Sequence, residues 1–174
     1  DSTVRLKWIG AMFEFMLKVH SEEPKVALRP FSILAFYQAR GFGVLAPFLK
    51  EAADHTADEK YGRPALFQGL TYFEKVTSFK RLTNAPQTAQ LRDGPEDMRP
   101  SALCRSIQSE ALKIVLAVWR SGDFSKFPEN SGPSLMKVWI HVLDPAGPRD
   151  IPARPEPRAG NRAEELRRGA EFSG

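Results

Sequence analysis

The chain of 174 residues holds a single cysteine, Cys104. One thiol excludes an intramolecular disulfide and any cysteine-built zinc site, and it fits a secreted chain as well as a cytoplasmic one. Histidine is almost as scarce. His20, His55 and His141 are spread along the sequence, so no spacing offers a metal pair or a base beside Cys104. No N-x-[ST] sequon occurs at Asn84, Asn130 or Asn161. The longest uninterrupted apolar run, Ile114 to Trp119, is far too short to span a bilayer. An excess of one charge is also missing. The net charge of +4 arises from 25 basic and 21 acidic residues; residues 1–82 carry 12 and 9 of them, residues 83–174 carry 13 and 12. So even a mixture predicts no nucleic-acid footprint. With no readable catalytic or ligand motif, the expectation is a chain that is not an enzyme, with no cofactor, no metal, no nucleic acid and no membrane among its partners. The chain opens at Asp1 without an initiator Met or a secretory leader, which suggests a processed form or a fragment.

What is present is a normal globular composition, 42% hydrophobic, 10% aromatic and 26% charged, on a chain long enough for one domain with a real core. Leu6, Ile9, Phe13, Met16 and Leu17 follow helical spacing between Val4 and His20, and Trp8, Met12, Phe15 and Val19 widen the stripe. A helix apolar over so much of its circumference is expected inside a domain. Glu22, Glu23 and Pro24 end it, and Lys25 to Leu28 reads as a short buried strand. Pro30 suits the first turn of a second helix, Phe31 to Arg40, stopped by Gly41 and Gly43. Pro47 opens a third, through Phe48, Leu49, Ala52, Ala53 and Ala57, with Gly62 and Pro64 closing it. Ala65 to Leu82 reads as helix despite Gly69, Thr71, Val76 and Thr77. Residues 83–100 are expected as a loop. Ser101 to Arg120 reads as a major helix, although its "ALKIVLAVW" fits a buried strand equally well. "SLMKVWIHVL", residues 134–143, favours a strand. The whole is an α+β chain, mostly helical with a few short strands, over residues 1–143. Residues 144–174, rich in Pro, Arg and Glu, are expected to form a disordered tail.

Two stretches carry a resemblance. Phe13-Glu-Phe15-Met-Leu17, an acidic turn, then Val26 four residues before Pro30-Phe31-Ser32-Ile33, resembles the N-terminal signature of the serpin family, F-x-F-x-L followed by a buried strand and S-P-x-S-I. Gly43 falls where the second helix of that family closes. "GDFSKFPENSGPSLMKVWIHV" is similar to the serpin run that enters a central strand of the large sheet, with Gly122, Ser131, Ser134, Leu135, Lys137 and Val138 matching. Asp54 to Asp58 faintly resembles the corresponding segment of angiotensinogen-like serpins. The resemblance implies an extracellular protein of a peptidase-inhibitor family. It also implies that Phe13, Phe15 and Leu17 bury the first helix, and that Ser32 and the residue at His141 share a structural hydrogen-bond cluster. Departures are plain: Arg29 stands for a serine, His141 for an asparagine, and Asp144-Pro145 for Tyr-Phe-Lys-Gly. Nothing in these residues matches the reactive loop, so the expectation is a truncated, non-inhibitory serpin-like protein. The alternatives are a non-enzymatic helical protein-interaction module, or a sequence with no selected function.

Few side chains suggest a site. Lys75, Lys80 and Arg81 are the candidate for a heparin-like polyanion, although on one helix positions 75 and 80 would point about 140° apart. His55 with Glu51 and Glu59 at helical spacing reads as a solvated charged face before a metal face. His20 reads as a helix C-terminal residue favoured by the dipole, and Cys104 as a small buried hydrophobe. Strand 134–143, lacking partner strands, is a candidate for self-association or for a protein partner.

Overall fold

The computed structural model describes residues 2–22, 27–84 and 87–121. Val26, the strand expected at 134–143 with His141, and the tail 144–174 lie outside these residues. Among the described residues the chain is mostly helical with one two-stranded hairpin. Helix α1 (Ser2–His20) leads into β1 (Ser21–Glu22), which pairs antiparallel with β2 (Ala27–Leu28) in the register Ser21 to Leu28 and Glu22 to Ala27. Then come α2 (Pro30–Gln38), α3 (Gly41–Asp54), α4 (Gly62–Val76), α5 (Phe79–Thr83), α6 (Thr88–Arg92), a 3-10 turn (Glu96–Met98) and α7 (Pro100–Ser121). No helix among the described residues is long and apolar enough to cross a membrane.

The core forms where α1 lies along α4 and where α3 meets both α4 and α7. Leu6, Ile9 and Phe13 of α1 are buried, as the 3.6-residue period requires. Gly69 of α4 is packed against side chains from two other helices. A Cβ there would collide with Leu49 of α3 and come within 3.0 Å of the Phe13 ring of α1. Around this point Phe13, Tyr72, Phe73 and Phe42 make edge-on and tilted ring contacts at 5.3–6.5 Å between centroids, the geometry that aromatic quadrupoles favour.

Several boundaries differ from the sequence reading, each for a physical reason. Pro30 does open α2, but Gly41 and Gly43 do not stop it. The chain turns at Arg40, which holds the left-handed conformation (φ 58°, ψ 27°) without being glycine. Gly41 then starts α3, six residues before Pro47, which sits inside the helix. An internal proline costs about 3 kcal/mol, but the extra turn buries Phe42 and Leu45, together worth roughly 3–6 kcal/mol, so burial wins. Gly62 begins α4 instead of closing α3. The helix expected through Leu82 breaks at Thr77. There the Thr77 hydroxyl donates to the Phe73 carbonyl (2.8 Å), and the Thr77 carbonyl accepts from Gln108 Nε2 of α7 at 3.0 Å and more weakly from Cys104 Sγ at 3.7 Å. Residues 83–100, expected as a loop, include α6 and the 3-10 turn. The Thr88 hydroxyl donates to the Leu82 carbonyl (2.6 Å), and Leu91 is buried. The helix–strand ambiguity of "ALKIVLAVW" resolves as helix: Leu103, Ile107, Ala111, Ile114, Val115 and Val118 line one buried face of α7.

Candidate functional site

Helix α1 is apolar on two opposite sides. Its inner side packs on α4. On its outer side Val4, Trp8, Ala11 and Phe15, spaced by four, three and four residues, fall within about 60° of arc. Val4 and Phe15 are each 63% exposed and Trp8 54%. Arg5 of α1 bridges Glu51 of α3 at 2.7 Å, and the Trp8 ring meets Phe48 of α3 edge-on at 5.4 Å. One turn before Phe48, Val44 is 62% exposed. The outer face of α1 and the near edge of α3 thus form one apolar strip. Its far flank carries Lys7, set over the Tyr61 ring at 5.2 Å, and Glu14, paired with Lys18 at 2.9 Å. Scattered exposed apolar residues are ordinary, but a strip two helices wide is the feature that marks contact surfaces. The resemblance implied that Phe15 is buried; the structure corrects this. Phe13 is fully buried and Leu17 half-buried, while Phe15 points away from the core.

His20 is also corrected. It does end α1, but it is sealed inside, its Nδ1 hydrogen-bonded to Tyr72 Oη at 3.0 Å and its ring edge-on to Phe36 at 4.9 Å. Burial lowers its pKa to about 4 and raises that of Tyr72. A neutral imidazole offers the helix dipole no charge, so its role is to tie α1 to α4. Cys104 is buried as expected, and burial pushes its thiol up to about 12, against a smaller opposing effect of Arg105.

Lys75 lies in the last turn of α4, whereas Lys80 and Arg81 lie in α5 beyond the break at Thr77. They do not share a helix, so the angle expected between positions 75 and 80 does not apply. Ser32 is half-buried in the first turn of α2, and its expected partner His141 lies outside the described residues. His55 Nδ1 is hydrogen-bonded to the Glu51 carbonyl at 2.9 Å, while Glu51 and Glu59 are paired with Arg5 and Arg63. An open cleft of about 460 Å³ lies between the α2–α3 junction and α7, lined by Tyr37, Gln38, Arg40, Phe42, Gly43 and Glu110. Arg40 and Glu110 give it charges of both signs, and Glu110 is engaged by Lys113 at 2.8 Å.

The outer strip was not among the sequence-derived sites. Its signal was present in the excess of apolar positions on α1, more than one buried face can use. Comparisons of the chain with protein-family models, curated proteins and solved structures find no match.

Proposed function

We propose that the chain is a non-enzymatic, helical protein-interaction module whose docking face is the outer side of α1 with the edge of α3. The observation that carries this reading is the stripe Val4, Trp8, Ala11 and Phe15, apolar and exposed opposite the buried side of the same helix. Its spacing is that of side chains that interlock with a second helix, so the fitting partner is an amphipathic helix with an apolar stripe and mixed charges along its edges. A fluorescein-labelled designed helix of Leu, Glu and Lys, followed by anisotropy, is expected to bind the full chain. The Trp8→Lys/Phe15→Lys variant, whose changes are both on the surface, is expected to keep its circular dichroism and lose the binding. Equal binding by both proteins, or by neither, defeats the reading.

The serpin resemblance supports a second reading, a non-inhibitory relative of that family. In its favour stand the order helix, short strand, helix, with Pro30 opening the second helix and Phe13 and Ile33 buried. On this reading the 174-residue polypeptide forms no covalent complex with trypsin-like or chymotrypsin-like proteases. A detergent-resistant band with any of them sinks the non-inhibitory part.

A further inference from the structure

The charges beside the outer stripe of α1 have a symmetry of their own. Going round the helix from the stripe, Lys7 and Glu14 fall on the same flank, the one facing Tyr61 and the start of α4. They lie equally far on either side of the midpoint between Gly10 and Ala11. When two identical helices pack antiparallel about a two-fold axis, each flank meets the same flank of its twin, with the sequence running backwards. A two-fold axis at that midpoint therefore sets Lys7 opposite Glu14 of the second copy, and Glu14 opposite Lys7 of the second copy. The apolar residues obey the same register. At about 1.5 Å of rise per residue, the levels along the interface alternate Val4, Phe15 of the second copy, Trp8, then the two Ala11 methyl groups at the axis. The large rings fall into gaps, and the smallest side chain of the stripe stands where the helices cross.

We infer that the partner fitted by this face is a second copy of the chain, docked α1 to α1 antiparallel. This rests on the reading of the face as a helix-docking surface and names its occupant. Each interface of this type is self-complementary, the usual form of a two-fold dimer. The exposed parts of Trp8 and Phe15 contribute on the order of 100 Å² each per copy. With Val4, Ala11, the half-buried Met12 and the stems of Lys7 and Lys18, the pair buries on the order of 1,000 Å² in total. That is the lower edge of specific interfaces, the size range of weak and reversible contacts. Charge complementarity fixes its direction, because a parallel pairing about the stripe would lose both Lys7–Glu14 contacts.

Sedimentation velocity on the full chain over a range of concentrations tests this. Wild type is expected to pass from monomer to dimer, and Trp8→Lys/Phe15→Lys to remain monomeric. Lys7→Glu alone and Glu14→Lys alone each turn both cross-pairs repulsive and are expected to weaken the dimer roughly tenfold. An equimolar mixture of the two single variants is expected to regain wild-type affinity, since every cross-pair in the mixed dimer is again opposite in sign. A dimer indifferent to the charge changes, or one that the mixture does not restore, overturns the antiparallel register. A wild-type monomer at all concentrations that still binds the designed helix overturns self-pairing while leaving the docking face in place. A monomer that binds no helix overturns both. A monomer in which Trp8 is shielded from hydroxyl-radical oxidation assigns the face to another segment of the same chain, and it too overturns the inference.

Discussion

The buried His20–Tyr72 pair makes acid the sharpest probe of the core. An unfolded His20 takes up a proton near its ordinary pKa of 6.5, whereas the folded one does so only near 4, because burial disfavours the charged ring. Between those values the unfolded chain binds the extra proton, so stability is full above pH 6.5 and falls as the pH drops towards 4. The steepest slope is about 1.4 kcal/mol per pH unit. Going from pH 7 to pH 5 removes about 2 kcal/mol, and the full window about 3 kcal/mol. For a domain of this size, with a urea dependence of 1–3 kcal/mol per molar, the midpoint is expected to drop by roughly 1 M between pH 7 and pH 5. Free carboxylates titrate mostly below that range. His20→Gln retains a hydrogen-bonding group towards Tyr72 but cannot take up a proton. It is expected to lower stability at pH 7 and to flatten the dependence between pH 7 and 5. Equal wild-type midpoints at the two pH values, or an unchanged slope in His20→Gln, would refute the assignment of this acid sensitivity to His20.

Other consequences are as direct. Gly69→Ala forces a methyl group against Leu49 and the Phe13 ring, and is expected to cost about 1–3 kcal/mol in chemical denaturation; a neutral result would show that α1 and α3 move apart freely. Arg40→Gly removes the left-handed strain at the α2–α3 junction and is expected to add up to about 1 kcal/mol of stability, the strain relief exceeding the added chain entropy. A lower melting temperature in that variant would mean that the Arg40 side chain stabilises the junction by more than its backbone costs. Cys104, buried with its thiol pushed up to about 12, is expected to resist Ellman's reagent in the native chain and to react fully in urea. Prompt native labelling would contradict its burial.

The inner face of α1 and the opening of α2 at Pro30 were legible because each depends on residues close in sequence, whereas the core of α7 fitted helix and strand alike until its burial against α3 and α5 decided it. The start of α3 was not, because glycine and proline signals pointed one way and the burial of Phe42 and Leu45, a tertiary effect, pointed the other. The break at Thr77 depends on Gln108 and Cys104, about thirty residues away, and no local propensity encodes a clamp supplied by a distant helix. His20 looked like a charged cap because its burial requires Tyr72 and Phe36 to close over it. The resemblance implies burial for Phe15 together with Phe13 and Leu17, but apolar spacing does not say which of two faces of α1 the fold buries. For that reason the candidate docking face stayed hidden in a helix whose apolar residues all seemed accounted for.

The position of α7 bears on the birth of the protein as well as on its finished form. Leu103, Ile107, Ile114, Val115 and Val118 are delivered last among the described elements, yet they fill a seam shaped by α3 and α5. A ribosome adding roughly 5–20 residues per second needs about one to four seconds to make this 22-residue helix. Packing among the earlier helices takes far less time. Any packing of the earlier helices during that interval leaves the α7 seam open, without the Gln108 and Cys104 donors that α7 supplies to the Thr77 carbonyl. That interval is when a chaperone has most to shield, and a message that ends early within α7 leaves the seam bare for good.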